Sequence, residues 1–176
     1  MHKKIIWFAG IPSSGKSTMA LRLHLELEWA NKRTILLDDE TIKRVEFAKT
    51  IDNVIELIGE EYNIIVSPYP QKIPRKPDLI VWCRCPIDKI IGRDKVKIIN
   101  GDGDFEKYWG SYFIQADLIL DTYDRTRQTK ENIEFCWQIL KRKMEKLFGN
   151  FSWRVCSDKE SDWASKEPGK QYFKRC

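Results

Sequence analysis

Apolar residues gather in five short runs, Lys4–Ala9, Thr34–Asp38, Asn63–Ser67, Leu79–Arg84 and Asp117–Asp121, most of them rich in Ile, Leu, Val or Trp. Most of these runs are continuous rather than alternating, the pattern of strands covered on both faces, so they predict a parallel sheet. A different rhythm fills several of the gaps. In Lys16–Asn31 the apolar positions Met19, Ala20, Leu23, Leu27 and Ala30 recur at helical spacing, and Asp52–Ile58 and Lys130–Phe148 behave likewise. Alternation of strand and helix predicts an α/β fold, a mainly parallel five-stranded sheet with helices on both faces.

One connection cannot be helical. Pro68, Pro70, Pro74 and Pro77 crowd the stretch from Ser67 to Pro77, and proline at that density removes both the hydrogen bonds and the backbone angles a helix needs. Ten residues of polyproline II reach about 31 Å. Running back along one strand (~17–20 Å) and stepping past one neighbour (~10 Å) needs less, so an extended crossover keeps the sheet parallel. From Val96 to Gln115 the chain turns polar and glycine-bearing, then aromatic, as expected of a lid over a ligand or, equally, of a long surface loop packed by its own rings. Phe151–Cys156 reads as one more short strand before a lysine-rich tail. The expected organisation is one domain over residues 1–150, with a lid at about 95–115, and residues 151–176 as an extension of it.

Composition narrows the class. Apolar residues make up 42% and charged residues 32% of the 176, with no Gly/Pro/Ser tract, which argues against a disordered or fibrous chain. No apolar run approaches the roughly 20 residues that span a bilayer, and Met1-His2-Lys3-Lys4 is not followed by a secretory signal, so neither membrane nor export is expected. Five cysteines without regular spacing fit a reducing cytosol better than a disulfide framework. Cys83 and Cys85 have a metal-like C-x-C spacing, but they lie in or beside an apolar run with no second Cys/His pair near them, and are expected as buried strand residues.

The chemistry lies in Gly10-Ile11-Pro12-Ser13-Ser14-Gly15-Lys16-Ser17, which fits G-x-x-x-x-G-K-[ST] and stands between an apolar strand and an amphipathic helix, as the motif requires. Gly10 and Gly15 allow backbone angles closed to other residues, so successive N–H groups turn inward and, with the positive end of the helix dipole, cradle phosphate oxygens. Lys16 can then reach the β/γ-phosphates and the Ser17 hydroxyl can ligate Mg²⁺; Ile11, Pro12, Ser13, Ser14 and Thr18 complete the loop. A glycine turn that merely caps a helix would not call for a lysine at the helix start, where a cation opposes the dipole unless an anion is bound. A nucleoside triphosphate with Mg²⁺ is the expected ligand pair. The second strand runs out in Asp38-Asp39-Glu40, with Lys43 and Arg44 one turn later. Carboxylates at that edge can cap the next helix, hold Mg²⁺, or accept a proton from an attacking hydroxyl, and the two cations can hold an anionic substrate.

With these residues in hand, the chain resembles the adenylylsulphate kinase family, small P-loop enzymes that move the γ-phosphate of ATP to the 3′-hydroxyl of adenosine 5′-phosphosulfate. The similarity runs roughly from Lys3 to Leu140. The family's G-L-S-G-S-G-K-S-T is similar to Gly10–Thr18, its L-D-G-D-N-I-R to Leu37–Lys43, its R-I-E-N to Thr50-Ile51-Asp52-Asn53, and its I-S-P-Y to Val66-Ser67-Pro68-Tyr69. Its C-P-x-x-x-x-x-x-R-D resembles Cys85-Pro86 through Arg93-Asp94, and its P-x-L-V-L-D-T resembles Ala116–Thr122. The resemblance implies a P-loop NTPase-like fold of the nucleotide-kinase type. It implies Lys16, Asp38, Glu40 and Arg93 as catalytic, Ser17 and Asp38 on the metal, and Lys43, Arg44, Phe47, Asn53, Ser67, Phe105 and Tyr108 as the substrate set. Some family descriptions give the serine at the Ser67 position a phosphoserine intermediate, which direct transfer does not need.

The departures fall on the acceptor side. Lys43 and Thr50 stand where the family has arginines, the K-G-L-Y after Arg93-Asp94 is missing, and the helix after Ser-Pro-Tyr is replaced by the proline crossover. Lys does not reproduce a bidentate Arg–anion contact, and Thr carries no charge. An altered acceptor is therefore expected, for instance that of a cytidine diphosphoramidate kinase in capsule biosynthesis. Other readings stay open: a kinase of polynucleotide ends or another metabolite hydroxyl, and a non-catalytic ATP-binding module. A net charge of +5 is modest for a nucleic-acid binder, so a small nucleotide is the expected partner, with a homodimer left open.

Overall fold

A computed structural model describes residues 3–11, 13–38, 53, 55–56, 60–67, 76–86, 89 and 116–153. Five strands form one sheet: β1 (Lys4–Ala9), β2 (Thr34–Asp38), β3 (Tyr62–Val66), β4 (Leu79–Arg84) and β5 (Leu118–Asp121), in the order β2-β3-β1-β4-β5 with every neighbouring pair parallel. β1 thus lies between β3 and β4, the single neighbour that the proline-rich crossover was expected to step past; residues 68–75 of that crossover lie outside the described residues. Two long helices, α1 (Lys16–Trp29) and α2 (Thr129–Phe148), match the predicted helical spans to within two residues.

Alternate residues of β1 explain the unbroken apolar run. Ile6 and Phe8 join Met19, Leu23 and Leu27 of α1 and Leu140 and Met144 of α2 on one face of the sheet. Ile5, Trp7 and Ala9 join Ile65, Trp82 and Ile55 on the other, and the backbone around Ile55 is helical. Both faces are covered, so neither set of side chains can be polar.

Local sequence sets the helix ends. After Ala30, Asn31 takes a left-handed φ of 56°, its N–H bonds Glu28 O, and Lys32 N–H bonds Leu27 O, a Schellman closure that stops α1 two residues short of the predicted Asn31. At α2, Gln128 N–H donates to Glu131 at 2.9 Å, and Gly149 ends the helix with φ 90°. Between the helices Arg22 and Glu26, 2% and 1% exposed, pair at 2.8 Å; Arg22 also approaches Glu134 at 3.7 Å and lies over the Trp137 ring.

The predicted strand at Phe151–Cys156 is corrected over its described part, since residues 151–153 carry no strand. Phe151 packs on Tyr62 (5.9 Å) and Trp153 edge-on to Trp137 (5.4 Å), while the Trp153 indole N–H donates to Glu145 at 2.7 Å. This piece packs onto α2 and the sheet without joining a ladder. The remainder of residues 151–176 and the lid at 95–115 lie outside the described residues. Among the described residues no helix is long and apolar enough to cross a membrane.

Candidate active site

β1 ends at Ala9 on the central strand, and the chain turns at once into the glycine loop and α1. Gly10 has φ 141°, and a Cβ there would lie 2.4 Å from the Cys83 carbonyl oxygen and 2.8 Å from Ser14 Oγ, so no other residue fits. Gly15, with φ 90°, forms the N-cap of α1, and Ser13 is left-handed at φ 61°. The turn closes through Ser14 N–H to Ile11 O (3.2 Å) and continues into the helix through Met19 N–H to Gly15 O (3.1 Å). The first turn of α1 holds no acidic residue, so its amides and dipole face outward with positive potential uncancelled by a carboxylate of that turn.

Lys16 is 8% exposed, and its ammonium arches back to donate to Ile11 O at 3.0 Å. Behind the loop, burial pushes the Cys83 thiol up to about 12 against the opposing pull of Lys16, so this sulfur stays protonated. Cys83 and Cys85 are buried free thiols, as expected of them.

At the end of β2, Asp38 Oδ2 accepts a hydrogen bond of 3.0 Å from the Ser17 hydroxyl. The motif's serine and the carboxylate singled out from the sequence therefore meet across 21 residues. These are hard oxygen donors beside the glycine loop and its lysine, and they fit Mg²⁺.

Other predicted residues fare differently. Ser67 reaches the same sheet edge, but it is buried: its N–H bonds Phe8 O and its carbonyl accepts the Trp7 indole N–H at 3.2 Å. Asn53 is exposed on the helical stretch whose Ile55 packs in the cluster containing Ile11. Pro12, Glu40, Lys43, Arg44, Phe47, Arg93, Phe105 and Tyr108 lie outside the described residues.

Sequence reasoning gave no role to a second group at this edge. Thr122 Oγ1 lies 2.6 Å from Ser14 O and 3.0 Å from Arg84 O, and Arg84 forms a two-pronged ion pair with Asp121, its register partner across β4 and β5. That pairing raises the affinity of the guanidinium for its proton. The available signal was a charged residue at the last position of each of two apolar strands.

The model of the family described as adenylylsulphate kinase matches residues 2–53, the span from β1 past the end of β2. The chain resembles the adenylylsulphate kinase family of P-loop kinases. Over residues 2–53 this bears out the resemblance drawn from the motifs; those from Val66 onward lie outside the match. Similar solved structures include a thymidylate kinase from Ehrlichia chaffeensis (14% identity, 82% of this chain and 100% of that one, TM-score 0.50), APE1195 (21%, 80% and 96%, 0.49), and a possible uridine kinase from Bacillus stearothermophilus (13%, 69% and 90%, 0.47). The thymidylate kinase supports the fold, an α/β P-loop NTPase-like sheet. No curated protein matches the chain.

Proposed function

We propose that this protein is an ATP-dependent kinase that transfers the γ-phosphoryl group to the 3′-hydroxyl of a small 5′-modified nucleotide. The observation that carries the reading is the 3.0 Å pairing of Ser17 with Asp38 beside the Lys16 loop, in the part of the chain that the family model matches. The acceptor oxygen attacks the γ-phosphorus, the bond from that phosphorus to the β–γ bridging oxygen breaks, and ADP leaves. The chain's share is positioning and charge: the loop amides and Lys16 hold the phosphates, and an acidic group at the end of β2, Asp38 or Glu40, takes the acceptor's proton. Ser17 and Asp38 would hold Mg²⁺, which would supply neutralisation of phosphate charge.

Loss of the family's arginines at Lys43 and Thr50 favours an acceptor other than adenosine 5′-phosphosulfate, and cytidine diphosphoramidate is the first alternative to try. The test is coupled ADP release over adenosine 5′-phosphosulfate, cytidine diphosphoramidate, nucleosides and 5′-hydroxyl oligonucleotides, followed by the product's mass. Release that depends on a small nucleotide, with one phosphate added at its ribose, is the expected result. ATP binding with no acceptor-dependent release would leave a non-catalytic module; release with oligonucleotides alone would move the acceptor to a polynucleotide end.

A further inference from the structure

We propose that Thr122 is a positioning residue for the phosphate loop, its hydroxyl holding the Ser14–Gly15 peptide so that the Gly15 N–H faces the bound phosphates. This rests on the kinase reading above. A hydroxyl donates one proton, and of the two carbonyls within reach Ser14 O is the nearer, 2.6 Å against 3.0 Å for Arg84 O. The Ser14 side chain adds no second hold on this peptide, because among the described residues its buried Oγ has no hydrogen-bond partner. In a trans peptide the C=O and the following N–H point in opposite directions, and no described peptide is cis. A carbonyl drawn outward to Thr122 therefore turns the Gly15 N–H the other way, away from Thr122. The methyl side of Thr122 borders Gly15, where an added Cβ would lie 3.3 Å from Thr122 Cβ and Cγ2.

Thr122 is itself fixed. Its N–H donates to Arg84 O at 2.9 Å, extending the β4–β5 ladder by one step, and the Arg84–Asp121 ion pair clamps the two strand ends immediately before it. The contact spans 108 residues of chain, so the last strand of the sheet braces a loop that follows the first. An exposed ion pair contributes little stability, whereas a hydrogen bond aimed at one peptide plane decides where a donor points.

Calorimetry with Mg²⁺ and the β,γ-imido analogue of ATP tests this on Thr122→Val and Thr122→Ser. Valine keeps the shape and removes the hydroxyl, and serine restores it. The expected result is an affinity about tenfold lower for Thr122→Val, the worth of one hydrogen bond, and within about twofold of the parent for Thr122→Ser. Equal affinity in Thr122→Val, or the same loss in both variants, overturns the assignment while the kinase reading stands. No binding by the parent protein sinks that reading and this one together. Should Thr122→Val not fold, the Gly15 amide resonance of the parent protein decides: tripolyphosphate shifts it along with those of Lys16 and Ser17, and an unmoved Gly15 beside a shifted Lys16 overturns the proposal.

Discussion

The two ends of the sheet spend their polar groups differently. At the end where the parallel strands begin, side chains terminate the ladder: Asp78 Oδ2 accepts Ile5 N–H at 2.8 Å, Asp117 Oδ2 accepts Ile80 N–H at 2.8 Å, Asn63 donates to Lys4 O, and the Lys4 ammonium bonds the Tyr62 hydroxyl. At the end where the strands finish, polar groups gather in and around the glycine loop: Ser17 with Asp38, Lys16 with Ile11 O, Thr122 with Ser14 O. The first end completes strands and the second converges on one loop, as expected of an open α/β sheet that binds ligands beyond the carboxyl ends of its strands. Stability and chemistry should therefore separate between the two ends.

Lys16→Ala offers the hardest test of that separation. Turnover should fall on the order of a thousandfold or more, while the thermal midpoint of the ligand-free protein stays equal or rises, because a cation at a helix N-terminus is unfavourable without its anion. Near-full turnover would show that the phosphate loop is not the site. At the opposite end, Asp78→Ala should cost about 2 kcal/mol in denaturant unfolding by leaving the Ile5 N–H unmatched, with the affinity for Mg·ATP unchanged. A weakened affinity without a loss of stability would reverse the comparison.

A smaller effect sharpens the picture between the two ends. Burial raises the Glu26 carboxyl above its usual range, only partly opposed by Arg22, with Glu134 raising it further and Lys141 lowering it. The folded state therefore holds this proton more tightly than the unfolded chain. The resulting stabilisation is full below about 4.5 and is lost as pH rises through the raised value. Unfolding midpoints from pH 4 to 7 should show that slope in the parent and lose it in Glu26→Gln, with turnover on the same acceptor retained. An unchanged slope would assign the pH dependence elsewhere. The smallest effect belongs to Ser13→Gly, which relieves a left-handed backbone at φ 61° and should raise stability by no more than about 1 kcal/mol. A thermal shift measurement checks it, and a clear drop would mean that the Ser13 side chain contributes more than its backbone costs.

Much of this was legible in the chain because it is local. Strand ends fell within a residue of the apolar runs, since a strand buried on both faces is apolar along most of its length. The loop and its lysine were plain from spacing, and Ser17 and Asp38 were each named, because the motif and the strand end carry them independently. Thr122 was visible only as part of a family pattern, without a role. No periodicity reports a hydrogen bond to a residue 108 positions away, and that bond depends on β5 lying at one edge of the sheet. The misread strand at Phe151 has a related cause. Phe151 and Trp153 pack against the core while Ser152 is exposed, a side-chain pattern that a strand would share. Whether a ladder forms depends on a neighbouring strand.

The bare hydrogen of Gly10 against the Cys83 carbonyl carries a consequence for how this chain can vary. Every heavier residue would pry the turn off β4 and tilt the start of α1, so saturation of position 10 should return glycine alone. Acceptor specificity can drift through neighbouring segments, but this seam between loop and floor admits no such drift.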